Sequence, residues 1–183
     1  MRKWNAVLSI GILALFLLHS IAGGFQLAGL LPGGQKWLTV LTWIMAGMTA
    51  VHAVIGCILT AQTLKSIKRS GASYYKENRL FWLRRSSGFA VMLLLLSHVL
   101  AFQVTVTDGA LRLPLFGGVQ LALQILLVVA VALHVLTNVK PLVLGLGAVK
   151  SKNILPDILV IIAFLLAAAG AGFIVYFIRF NVL

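Results

Sequence analysis

The sequence predicts an all-α integral membrane protein built as one bundle of five transmembrane helices. Hydrophobic residues make up 61% of the chain, charged residues only 10%, and the apolar residues fall in runs long enough to cross a bilayer. A mean hydropathy of +1.08 cannot be folded behind a water-facing surface of ordinary polarity, so lipid is the solvent for most of the chain. With roughly 20 apolar residues per crossing, the 183 residues allow about five spans, short loops and no separate soluble domain. The whole of 1–183 is therefore read as a single membrane domain.

The first span runs from about Trp4 to Leu31. Met1-Arg2-Lys3 ahead of it resembles the start of a secretory leader. The apolar run exceeds the roughly 7–15 residues of a leader's core and lacks a clear A-x-A site, so it is read as a retained helix. Pro32-Gly33-Gly34 separates it from the second span, Leu38 to Leu64. The third, Leu80 to Val106, is closed by Asp108-Gly109 and Pro114, and the fourth, Leu115 to Val139, ends ahead of Gly145-Leu146-Gly147. The fifth starts at Pro156, a residue that suits a first helical turn, and runs to Phe177. All five are helices, because lipid offers an unpaired backbone no partner and the alternation required by a closed barrel is missing.

Charge sets the expected orientation. Arg2, Lys3, Lys65, Lys68, Arg69, Lys76, Arg79, Arg84, Arg85, Lys140, Lys150 and Lys152 fall on one side of the bilayer, and only Lys36, Arg112 and Arg179 on the other. Cytoplasmic loops accumulate such residues, which puts the N-terminus in the cytoplasm and the chain in the inner (cytoplasmic) membrane as a multi-pass protein. The net charge of +12 is then a topology signal and not a nucleic-acid surface. The segment from Lys65 to Arg85, which includes Tyr74, Tyr75, Phe81 and Trp82, is read as the longest loop, suited to anionic lipid or a cytoplasmic partner. Cys57 is the single cysteine, so no intrachain disulfide forms, and no C-x-x-C-H motif is present to attach a haem covalently.

All four histidines lie in apolar spans, one in each of the first four: His19, His52, His98 and His134. An ionisable group inside a membrane is by default a functional-site candidate, since leaving it unpaired costs several kcal/mol. At about 1.5 Å of rise per residue from the nearest basic residue, His134 lies about 9 Å deep, His52 and His98 about 20 Å, and His19 about 24 Å. His134 and His52 form the inner tier and His98 and His19 the outer; the near tie in the middle leaves the pairing open on depth alone. Two imidazoles per tier suit the axial positions of a b-type haem, a low-spin electron carrier with no open site for substrate. Gly23, Gly24, Gly56 and Gly88 offer room for a flat macrocycle, or serve plain helix packing. Arg84, Arg85, Ser86, Ser87 and Lys140 are the candidate propionate contacts on the inner side, with Lys36 on the outer. Two other classes fit the same histidines. One is a transporter or channel using them for protons or metal, with acids or cysteines expected beside them at one depth; the other is a scaffold whose histidines bridge helices.

Arg85-Ser86-Ser87-Gly88 leading into Ser97-His98 looks like the R-x-S-G segment before a haem histidine in the di-haem cytochrome b membrane anchors of succinate dehydrogenases and fumarate reductases. His52-Ala53-x-x-Gly56 and the stretch from His134 to Gly147 are similar in style. One histidine on each of four helices and none on the fifth resembles that family over the whole chain. The resemblance implies two haem b groups, with His52 and His134 ligating the proximal one and His19 and His98 the distal one. It implies the quinone-reactive membrane subunit of an oxidoreductase, carrying electrons between menaquinone or ubiquinone and a cytoplasmic iron-sulfur subunit. Dicarboxylate chemistry would then belong to a separate FAD flavoprotein. Other di-haem membrane cytochromes place at least two histidines on one helix, and no helix has two in this chain. The sequence departs from the family in one respect: of its three acids, Glu77 and Asp108 lie between spans and Asp157 stands at the very start of the fifth, so the intramembrane carboxylates of some fumarate reductases have no counterpart. From depth alone, the candidate quinone contacts are Gln26, Gln35, Lys36, Trp37 and Gln103.

Overall fold

Backbone in lipid has to satisfy itself, and among the described residues of the computed structural model five helices do so, with one small hairpin beside them. Residues 1–71, 78–103, 105–107, 110–112, 116–147 and 155–181 are described. The helices are α1 (Arg2–Leu27), α2 (Lys36–Ser70), α3 (Arg79–Ala101), α4 (Gly118–Gly145) and α5 (Leu155–Asn181), and the strands are β1 (Thr105–Thr107) and β2 (Ala110–Arg112). Each helix is long and apolar enough to span a membrane. Tyr74, Tyr75, Lys76, Glu77, Asp108, Gly109, Pro114, Leu115, Lys150 and Lys152 lie outside the described residues.

The helix ends differ from the sequence expectation for local reasons. Helix α1 stops at Leu27 rather than Leu31, because Gly29 turns to φ 74° and the amides of Leu30 and Leu31 fold back onto the Phe25 carbonyl at 2.9 and 3.2 Å. Helix α2 runs past Leu64 to Ser70, so Lys65, Lys68 and Arg69 sit on a helix and not in a loop. Gly71 ends it in the left-handed conformation, with Lys68 and Arg69 at the negative end of the helix dipole. Its 35 residues extend about 52 Å against a hydrocarbon core of about 30 Å, which leaves the basic end outside the apolar layer.

Helix α3 ends at Ala101 and not at Val106. Thr105, Val106 and Thr107 are β-branched, crowd a helical turn and favour a strand. They pair antiparallel with Arg112, Leu111 and Ala110 respectively, around an Asp108-Gly109 sequence of the kind that favours two-residue hairpins. Helix α4 begins at Gly118 rather than Leu115 and continues through Pro141 to Gly145, beyond the expected end at Val139. Pro141 has no N–H to give the Thr137 carbonyl four residues earlier. Arg84 Nε donates to that carbonyl from α3 at 2.9 Å, so a gap in one helix is filled by its neighbour.

The helices alternate in direction. Helix α1 packs on α2 and α5, and α4 on α3 and α5, with a lighter contact between α1 and α4. Helix α5 is the strap between the two hairpins and buries Ile162, Leu166, Gly170, Phe173 and Tyr176. At one end Val139, Ile162 and Leu166 pack with Leu13, Phe16 and Leu136; at the other, Phe116, Phe173 and Tyr176 pack with Leu27, Phe102 and Leu121. A Cβ placed on Gly172 would lie 3.5 Å from the Gly24 Cα, so these two glycines let α1 and α5 approach closely. Arg179 Nη1 donates to the Leu27 carbonyl at 3.4 Å and Asn181 Nδ2 to the Phe116 carbonyl at 2.8 Å, tying the end of α5 to its neighbours. Helices α1 and α3, and α2 and α4, have at most slight contact.

The Arg84–Thr137 contact is testable as a pair. Arg84→Leu strands a carbonyl that Pro141 cannot serve and is expected to cost about 1–3 kcal/mol in an unfolding titration in detergent. Adding Pro141→Ala, which restores the missing N–H, is expected to recover most of that loss; additive losses would show that the contact is incidental.

Candidate functional site

The alternating helices bring the four histidines together as two pairs. The rings of His52 and His134 have centroids 6.3 Å apart, and those of His19 and His98 lie 6.1 Å apart. The first is the inner pair, nearer the basic helix ends; the second is the outer pair. These are the pairs that the resemblance implies, and the depth ranking alone could not separate them. In both, the imidazole planes are inclined at 80°. Each pair joins two helices that have at most slight backbone contact, α2 with α4 and α1 with α3.

Every histidine has its Nδ1 held by a neighbouring helix. The Thr42 hydroxyl gives its own proton to the Leu38 carbonyl at 2.8 Å, so its oxygen accepts from His19 Nδ1–H at 3.1 Å. The Ser9 hydroxyl likewise donates to the Asn5 carbonyl at 2.7 Å and accepts from His52 Nδ1–H at 3.3 Å. His134 Nδ1–H donates to the Arg84 carbonyl at 3.3 Å, with the Ser87 hydroxyl 3.5 Å away and bonded to the same carbonyl. His98 Nδ1–H donates to Gln124 Oε1 at 2.8 Å. With the proton on Nδ1, Nε2 is left as the lone-pair nitrogen of each ring, the arrangement found where a histidine ligates a metal and is oriented from behind.

The contacts are reciprocal. Helix α1 holds the histidine of α2 through Ser9 while α2 holds that of α1 through Thr42; α4 holds the histidine of α3 through Gln124, and α3 holds that of α4 through the Arg84 carbonyl, with Ser87 beside it. In each helix the polar side chain at this contact precedes the histidine by ten residues, or by eleven for Ser87 in α3. That is close to three helical turns, which keeps both groups toward the same side of their helix and separates the two tiers by about 15 Å. A polar residue three turns before each histidine is thus a signal present in the sequence, although Ser9, Thr42 and Gln124 were not among the expected site residues.

Two imidazoles at this spacing match two metal–nitrogen bonds of about 2 Å each plus the ring dimensions, which sum to roughly 6 Å. Among the described residues no group of three or more His, Cys, Asp or Glu gathers around a point, so the histidines stand as two pairs.

Around the inner pair, a Cβ on Gly88 would meet His134 Cε1 at 3.0 Å and Nδ1 at 3.1 Å. Gly88 therefore makes room for His134, not for the His98 on its own helix. Arg85 lies over the Phe81 ring at 5.3 Å, its Nη1 is 3.9 Å from where a Gly56 Cβ would stand, and its Nε is buried without a hydrogen-bond partner. This unmatched cation beside the inner pair suits an anionic group. Ser87 is buried, Ser86 and Lys140 are exposed, and Arg84 commits its Nε to Thr137.

Around the outer pair, Phe102 and Phe173 stand 5.1 and 6.1 Å from the His98 ring and continue into Phe116 and Tyr176. This aromatic wall was also missing from the sequence expectation. Of the expected quinone contacts, Gln26 Nε2 donates to the Pro32 carbonyl at 3.2 Å and Trp37 Nε1 to Gln35 Oε1 at 2.6 Å, both near the α1–α2 connection. Lys36 and Gln103 are exposed at helix ends. No family model, curated protein or solved structure matches the chain.

Proposed function

We propose that this chain is the di-haem cytochrome b subunit of a membrane-bound succinate dehydrogenase or fumarate reductase, and that it conducts electrons between a membrane quinone and an iron-sulfur partner. The observation that carries the proposal is the duplicated pair of imidazoles, with centroids 6.1 and 6.3 Å apart and each ring held at Nδ1, a spacing that would let each pair hold one haem. Bound haem supplies a one-electron ferric/ferrous couple at each tier.

The chain's own residues do the rest. His52 with His134, and His19 with His98, would hold two haems at tiers about 15 Å apart along the bundle, a stepping distance well inside a hydrocarbon core of about 30 Å. Two imidazoles for each group would suit electron transfer and not bond-making with a substrate. Arg85, with its buried and unmatched Nε, would pair with a propionate of the inner haem, and Ser87 and Lys140 are further candidates on that side. Under this reading the basic helix ends face the cytoplasm, where the protruding end of α2 meets the iron-sulfur subunit and its FAD flavoprotein. The quinone meets the outer tier; its contacts are proposed among Gln26, Gln35, Lys36, Trp37 and Gln103.

A reduced-minus-oxidised spectrum with pyridine-haemochrome quantitation tests the proposal. Two b-type haems per chain are expected, and a colourless protein would overturn it in favour of a scaffold or transporter. Gly88→Val is expected to displace His134 and abolish only the inner haem, giving one haem per chain.

The ring geometry adds a spectroscopic expectation. The imidazole planes in each pair are inclined at 80°, so the two rings would donate into different d orbitals of a bound iron and would leave them nearly degenerate. Both ferric centres are expected to give highly anisotropic low-spin EPR signals, whereas ordinary rhombic signals would indicate near-parallel rings.

A further inference from the structure

Gln124 is fully buried, at 0% exposure, yet half of it is unserved: Oε1 takes the His98 Nδ1–H at 2.8 Å, and Nε2 has no hydrogen-bond partner. An unsatisfied amide N–H2 in an apolar interior is destabilising, so a leucine or methionine would fill the position more stably. What distinguishes glutamine from either is the Oε1 contact. It is also the shortest of the four Nδ1 contacts; those to Thr42, Ser9 and the Arg84 carbonyl are 3.1, 3.3 and 3.3 Å. The amide orientation follows from the ring, because with Nε2 of His98 kept for a metal, Nδ1 carries the proton and only a carbonyl oxygen can face it.

We propose that Gln124 is the positioning residue of the outer centre: by accepting the Nδ1 proton of His98 it fixes the imidazole tautomer, raises the electron density at Nε2 and lowers the redox potential of the iron bound there. This deepens the di-haem reading and rests on it. An acceptor behind the ring makes imidazole a stronger donor, and a stronger donor favours the ferric over the ferrous state. His19, opposite, receives a longer contact from a hydroxyl already donating elsewhere, so His98 is the more strongly polarised of the outer pair.

The test is a potentiometric titration of the two haems in the full chain, monitored optically, for wild type, Gln124→Met and Gln124→Glu. Methionine keeps the length without the acceptor and is expected to raise the outer midpoint by about 59 mV, a tenfold change in the ferric/ferrous preference for one electron. A carboxylate accepts more strongly and is expected to lower it, while the inner midpoint stays in place in both variants. If methionine loses the outer haem while glutamate retains it at a lowered midpoint, the acceptor role is equally supported. An unshifted outer midpoint in Gln124→Met, an equal shift of both haems, or loss of the outer haem from both variants would reduce Gln124 to a space-filling role and overturn the proposal. A wild-type chain without haem would instead overturn the di-haem reading itself, so the two failures are distinguishable.

Discussion

The hydrogen bond behind each imidazole is the constraint on which the rest of the arrangement turns. A histidine in lipid has two polar nitrogens to satisfy, and a hydroxyl, a carbonyl or an amide oxygen on the adjacent helix satisfies one of them. That leaves the other nitrogen of each ring with its lone pair, close to a second histidine in the same state. Two imidazoles at about 6 Å, each with an unprotonated nitrogen, cannot satisfy one another; an electrophile between them would satisfy both.

This constraint explains the division of labour among the helices. Helices α1 with α2 and α3 with α4 form two antiparallel hairpins whose members hold one another's histidines, and the pairs form between hairpins. Packing the hairpins directly together would close the gaps that the rings span. Helix α5 resolves the conflict: without a histidine and with the most buried face, it holds α1 and α4 together from one side. The Gly24–Gly172 approach and the contacts of Arg179 and Asn181 fix that strap, and the Pro141 gap filled by Arg84 fixes α4 to α3.

The five spans were legible because hydropathy and length are one-dimensional properties, and lipid permits one local answer to them. Their ends were less legible. Thr105–Thr107 continued the apolar run but is β-branched, and the end of α2 is basic yet remains helical until Gly71. Among site residues the histidines stood out because no loop dilutes them. Ser9, Thr42 and Gln124 did not, since a hydroxyl or amide in a span is commonly bonded to its own helix, and recognising a partner requires knowing which helices touch and in which direction. Gly88 was noticed beside the wrong histidine for the same reason: proximity along α3 pointed to His98, whereas the packing of α3 on α4 gives it to His134.

The central claim is that the four histidines act as two specific pairs, and the most direct measurement is the haem that survives in each single His→Ala variant, identified by its midpoint potential and EPR signal. The expected result is two classes: His19→Ala and His98→Ala lose one and the same haem, and His52→Ala and His134→Ala lose the other. Any other grouping, or four variants that all keep the wild-type haem content, would contradict the pairing.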